Sequence, residues 1–120
     1  MGFKSLLAYQ KAFDLAMKVF QVSKTFPAEE KFVLSSQIVR SSRGVCSAIA
    51  EAYRKRSYEK HFKSKLTDAD SENSETQLWI DFALACNYIS EKEQLNLQRQ
   101  SEEVGRLLNY MINNPGKFGV

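Results

Sequence analysis

The residues best suited to chemistry lie between Arg40 and Glu75. The one histidine, His61, follows Arg56 by five positions and Arg54 by seven. An imidazole titrating near neutrality can serve as general acid or base. Asp68, Glu72 and Glu75 recur at spacings of four and three, which places them on one face of a helix. Three such carboxylates can chelate a hard cation such as magnesium, or accept salt bridges from Arg40 and Arg43. Between Arg40 and Lys65, eight Lys or Arg stand against two acids, Glu51 and Glu59, a local charge of +6 in a chain whose formal charge is only +3. Charge segregated in this way points to a polyanion, because Lys and Arg contacts to phosphate give salt-dependent, largely sequence-independent binding. The candidate phosphate contacts are Arg54, Lys55, Arg56, Lys60, Lys63 and Lys65, with Tyr53 and Tyr58 as their aromatic neighbours.

Residue counts exclude several other sites. A di-iron bundle needs two Glu-x-x-His motifs, and the one histidine has Tyr58, not an acid, three positions before it. Cys46, His61 and Cys86 lack the ligand number and spacing of a zinc site, and the two thiols read as free and buried. The five glycines are scattered, so no phosphate-cradling loop is present. Neither a metal nor a cofactor is expected. The spacings R-x4-H from Arg56 and R-x6-H from Arg54 resemble those of HEPN domains, which would imply a metal-independent ribonuclease with His61 as general acid/base.

These residues must be positioned by helices. Only Pro27 and Pro115 interrupt the pattern, and neither falls inside a long periodic segment. The first helix is predicted from a Ser5 cap to about Lys24, with Leu6, Tyr9, Phe13, Ala16 and Phe20 on its apolar face, followed by a short turn from Pro27 to near Leu34. The second, capped by Ser35 or Ser36, runs to about Lys55 with Ile38, Ser42, Val45, Ile49 and Ala52 in its stripe. Its small residues allow close helix approach. The third is predicted from a Ser57 cap to about Ile89, about 50 Å at 1.5 Å per residue, long enough to protrude and so to favour oligomerisation. Ser90 and Glu93 form a capping box for the fourth, which carries Leu97, Val104, Leu107, Leu108, Met111 and Ile112 and ends near Asn113. Four helices on short connections make an all-α antiparallel up-and-down four-helix bundle with long second and third helices, in one domain spanning 1–120. Gln37, Arg40, Glu51, Glu72 and Glu75 are the candidate polar network between its second and third helices. No apolar run reaches the roughly 20 residues needed to span a bilayer. Gln10, Lys11 and Asp14 break any secretory signal, so no membrane partner and cytoplasmic residence are expected.

The segment SQIVRSSRGVCSAIAEAYRKR resembles the signature of the four-helix bundle proteins first noticed as reading frames in intervening sequences of bacterial 23S ribosomal RNA genes. Ser36, Gln37, Ile38, Arg40, Ile49, Ala50, Glu51 and Arg54 carry the likeness, as do Phe26-Pro27 and the stretch ETQLWIDFALACNYIS. The chain departs from the pattern at Gly44, Ala48, Ala52, Asp70 and Asn73, so no role is carried over for that polar layer. The resemblance implies a homopentamer, and a likeness to the basic accessory proteins of diversity-generating retroelements implies RNA or DNA, or a nucleic-acid-processing protein such as reverse transcriptase, as partner. It implies no reaction. The expectation is therefore a non-enzymatic bundle that binds nucleic acid, with a HEPN-like ribonuclease or a protein-protein adaptor as alternatives.

Overall fold

The computed structural model describes residues 2–120, which form four helices: α1 (Leu7–Ser23), α2 (Leu34–Arg54), α3 (Glu59–Ala85) and α4 (Glu91–Asn113). Single 3-10 turns stand at Phe3–Ser5, Ala28–Glu30 and Pro115–Phe118, and no strand occurs among the described residues. The third and fourth helices each bury a stripe whose intervals alternate between four and three. On α3 it is Phe62, Leu66, Ala69, Asn73, Thr76, Ile80 and Ala83, and on α4 Leu97, Ser101, Val104, Leu108 and Met111. That period of 3.5 keeps one seam facing its neighbours along the full helix, as in coiled coils and four-helix bundles.

The stripes meet in two apolar clusters. One joins Ala8 and Ala12 from the first half of α1 to Ile49 and Ala52, Phe62 and Leu66, and Leu108 and Met111. The other joins Leu15 and Val19 to Leu34 and Ile38, Ile80 and Ala83, and Leu97. Burying each of the larger side chains stabilises the fold by about 1.5–3 kcal/mol. Between the clusters lies a polar layer. Ser41 and Thr76 hydroxyls bond at 2.9 Å, Asn73 Nδ2 donates to the Ser101 carbonyl at 2.9 Å, and Ser101 Oγ donates to Asn73 Oδ1 at 2.9 Å. Gln77 Nε2 donates to Ser101 Oγ at 2.8 Å, and Gln98 Nε2 to Gln77 Oε1 at 3.1 Å.

Several boundaries differ from expectation. α3 stops at Ala85, because Asn87 adopts φ 62° and the chain closes with Tyr88 N–H on the Ala83 carbonyl and Asn87 N–H on that of Leu84, both 2.9 Å. This is a Schellman end, with asparagine in the left-handed position that glycine usually takes. Its 27 residues then span about 40 Å rather than about 50 Å, in a molecule 44 Å long. α2 starts two residues before Ser36 without a serine cap; Glu30 Oε1 instead receives the Leu34 N–H at 3.4 Å. Nor does Ser57 cap α3, whose N-cap is Tyr58. Ser5 lies in the preceding 3-10 turn, and α1 begins at Leu7. Phe13 is exposed, and α1 faces the core with Ala8, Ala12, Leu15, Ala16 and Val19, whose smaller side chains permit close packing.

Candidate nucleic-acid interface

The last turn of α2 and the first of α3 are held from below by Ala52 and Phe62, both fully buried. The link between them is short and hydrogen-bonded. Lys55 N–H reaches the carbonyls of Glu51 and Ala52 at 3.1 Å, Arg56 N–H that of Tyr53 at 3.3 Å, and Tyr58 N–H that of Lys55 at 2.9 Å. The Tyr58 carbonyl in turn accepts the Phe62 N–H at 2.9 Å, which fixes the backbone on both sides of Tyr58. The C-terminal turn packs on the same end, with Phe118 6.4 Å from Phe62 between ring centroids. Gly119 sits beside the Arg56 side chain at φ 83°, a conformation open to glycine and strained for other residues.

The six candidate cations divide into two groups. Lys65 Nζ lies 2.9 Å from Glu51 Oε2 and 3.9 Å from Asp68, and Lys63 lies 3.4 Å from Glu59. The Lys65 ammonium holds the Glu51 carboxyl below its usual range, and Glu51 holds Lys65 above its own. Arg56 is turned inward: its Nη1 donates to the Tyr53 carbonyl at 2.8 Å and its guanidinium stacks 4.0 Å over the Tyr53 ring. Arg54, Lys55 and Lys60 are exposed and have no acidic partner within 4.0 Å among the described residues. Glu59, the one acid from residue 54 to 60, is engaged by Lys63. The turn therefore keeps a concentrated positive field facing solvent.

Gln37, Arg40, Glu72 and Glu75 come together as the expected polar network. Arg40 Nη1 lies 3.5 Å from Glu72, its Nη2 bonds Glu75, and Gln37 Oε1 accepts from the same guanidinium at 3.2 and 3.3 Å. Glu51 does not belong to it, being about three turns farther along α2 and bonded to Lys65 and, at 3.2 Å, to Ser47. Arg43 also stays apart, its guanidinium 5.2 Å over the Phe20 ring. The carboxylate face of α3 is thus divided, with Glu72 and Glu75 on Arg40 and Asp68 beside Lys65.

His61 is exposed, its ring nearly perpendicular to that of Tyr58 at 5.9 Å. No hydrogen bond joins it to Arg54 or Arg56 among the described residues. Both cysteines are free, but only Cys46 is partly enclosed, and burial pushes its thiol up to about 11. Cys86 is exposed rather than buried because it lies just past the end of α3. Lys117, beside the Tyr110 ring at 5.5 Å, joins this end of the molecule from a distant part of the chain, so no local run of residues announces it.

The family model described as 23S rRNA-intervening sequence protein matches residues 4–110. A crystal structure from Bacteroides thetaiotaomicron VPI-5482, of a protein with unknown function from the S23 ribosomal protein family, is similar with a TM-score of 0.81. The two are 29% identical over 89% of this chain and 96% of that one. Among curated proteins nothing matches. The matched residues take in all of α1, α2 and α3 and most of α4, and the chain belongs to the 23S rRNA-intervening sequence protein family.

Proposed function

We propose that this protein is a non-enzymatic, nucleic-acid-associated scaffold of the cytoplasm, an antiparallel up-and-down bundle that assembles into a homo-oligomer, in the first instance a pentamer. The observation that carries the binding reading is the trio Arg54, Lys55 and Lys60, exposed on one hydrogen-bonded turn without acidic partners. Such a trio suits phosphate contacts that position a strand without reading its sequence. Alternation of first and second helix halves in each core cluster supports the antiparallel order. Large apolar side chains left half-exposed on α3 and α4, Leu78, Phe82 and Leu95, support assembly. The two unpaired thiols suit a reducing compartment. That the Arg56 guanidinium is bonded and stacked at Tyr53 favours scaffold over ribonuclease.

Reversal of Arg54, Lys55 and Lys60 to glutamate tests this reading. RNA and DNA retention at low salt should be lost while light scattering reports the same mass. Unaltered binding would reject the interface, and RNA cleavage abolished by His61→Ala would reject the non-enzymatic role. No nucleic-acid binding by the native protein would leave an adaptor as the better account.

A further inference from the structure

We propose, resting on the reading of the α2–α3 turn as a phosphate site, that the strand it takes is single and that an unpaired base stacks on Tyr58. Tyr58 is 66% exposed and lies in the same short stretch of chain as the free cations Arg54, Lys55 and Lys60. It holds its place without being buried. The residue is the N-cap of α3 in extended conformation, φ −121° and ψ 100°, with its N–H and its carbonyl both hydrogen-bonded at 2.9 Å. The His61 ring, nearly perpendicular at 5.9 Å, backs it on one side. Only the side-chain torsions remain to be fixed, so stacking costs little conformational entropy.

A short distance along the same turn, the Arg56 guanidinium lies flat on Tyr53 at 4.0 Å, pinned by its bond to the Tyr53 carbonyl. The turn thus offers an exposed aromatic ring on an anchored backbone together with cations able to track a nucleic-acid backbone. That pairing of stacking platform and positive groove is how proteins hold single strands without sequence preference. A duplex keeps its base faces against one another and would have to be unstacked, at a cost of a few kcal/mol per step, before Tyr58 gained a partner. Phosphate contacts alone would show no such preference.

Fluorescence anisotropy at low salt separates these cases with three labelled probes of one length: a single-stranded RNA, its duplex, and a strand in which abasic sites replace the bases. The native protein should hold the single strand more tightly than either of the others. Tyr58→Ala should weaken the single strand about tenfold and leave duplex and abasic affinities unchanged, while Tyr58→Trp should retain or improve it. Equal affinity for all three probes, or a single-strand affinity indifferent to Tyr58→Ala, overturns the stacking inference and leaves the phosphate site standing. Failure of the native protein to bind any probe overturns both.

Discussion

The Glu72 carboxylate lies directly over the Cα of Gly44, so that a Cβ at position 44 would stand 3.0 Å from Glu72 Cδ and closer still to its Oε2. The same carboxylate forms an ion pair with the Arg40 guanidinium at 3.5 Å. A glycine in the interior of α2 is thereby tied to a charged contact with α3. Alanine at position 44 would gain about 1 kcal/mol of helix propensity. It would also displace Glu72 and forfeit a partly exposed ion pair, typically about 0.2–1 kcal/mol. Gly44→Ala should therefore change stability little in the native chain, yet stabilise a Glu72→Ala background by close to the full 1 kcal/mol. Denaturant melts of the four proteins in this cycle measure the coupling, and strict additivity would show that the two residues do not interfere.

The polar layer makes a sharper demand on stability. Ser101, fully buried, accepts from Gln77 and donates to Asn73, which is itself only 2% exposed. Ser101→Ala would leave Gln77 Nε2 and Asn73 Oδ1 short of a partner in the core. A cost of about 1–3 kcal/mol is expected, the range for an orphaned buried polar group. Replacing the contact with apolar groups on both sides, Ser101→Ala with Asn73→Leu, should cost less than Ser101→Ala alone. A melt in which the double variant is the less stable of the two would show that volume, not polar pairing, governs this layer.

Much of this was legible in the residues and some was not. The capping box at Ser90 and Glu93 is read directly, and the structure has both of its bonds at 3.0 Å. The end of α3 is harder to see, because Asn87 carries no stronger local mark than other asparagines and acts through a left-handed conformation. On α1 two apolar stripes overlap. Hydrophobicity favours the one with Phe13 and Phe20, whereas close packing selects the one with Ala8 and Ala12. Asn73, Thr76 and Ser101 had a readable signal, since they keep the four-three spacing of their apolar neighbours, and a polar residue in that register must find a partner inside. Within the basic turn, position in the chain did not reveal that Lys63 and Lys65 face acids while Arg54, Lys55 and Lys60 do not. The Lys63–Glu59 pair is a local i,i+4 contact within α3, whereas the Lys65–Glu51 pair depends on how α2 and α3 lie side by side.

Salt dependence follows from the same division. If Arg54, Lys55 and Lys60 each meet one phosphate of a single strand, log K should fall with log salt at a slope of roughly −2 per subunit, at about −0.7 per contact. Alanine at any of the three should flatten the slope by roughly 0.7. Lys63→Ala and Lys65→Ala should leave it nearly unchanged, since those ammonium groups are already neutralised by Glu59 and Glu51. A slope that responds equally to all five positions would mean a diffuse field rather than a defined site.

At the opposite end of the molecule, the Tyr88 hydroxyl donates to Glu30 Oε2 at 2.8 Å, and its ring packs 5.5 Å from Phe26. The bond to an ionised carboxylate favours the protonated phenol, and Tyr88 is pushed up to about 12, from an ordinary value of about 10. A group raised in the folded state contributes stability that is complete below its unfolded pKa and is lost as pH rises through the folded one. The stability difference between the native protein and Tyr88→Phe should accordingly hold steady up to about pH 10 and shrink as the pH approaches about 12. Near-ultraviolet absorbance titration should show a late tyrosine phase near pH 12, missing in Tyr88→Phe. Glu30→Gln should return that late phase toward the ordinary range, since it removes the charge while keeping an oxygen for the Leu34 N–H. A late phase that persists in Glu30→Gln would assign the shift to burial beside Phe26 instead of to the carboxylate.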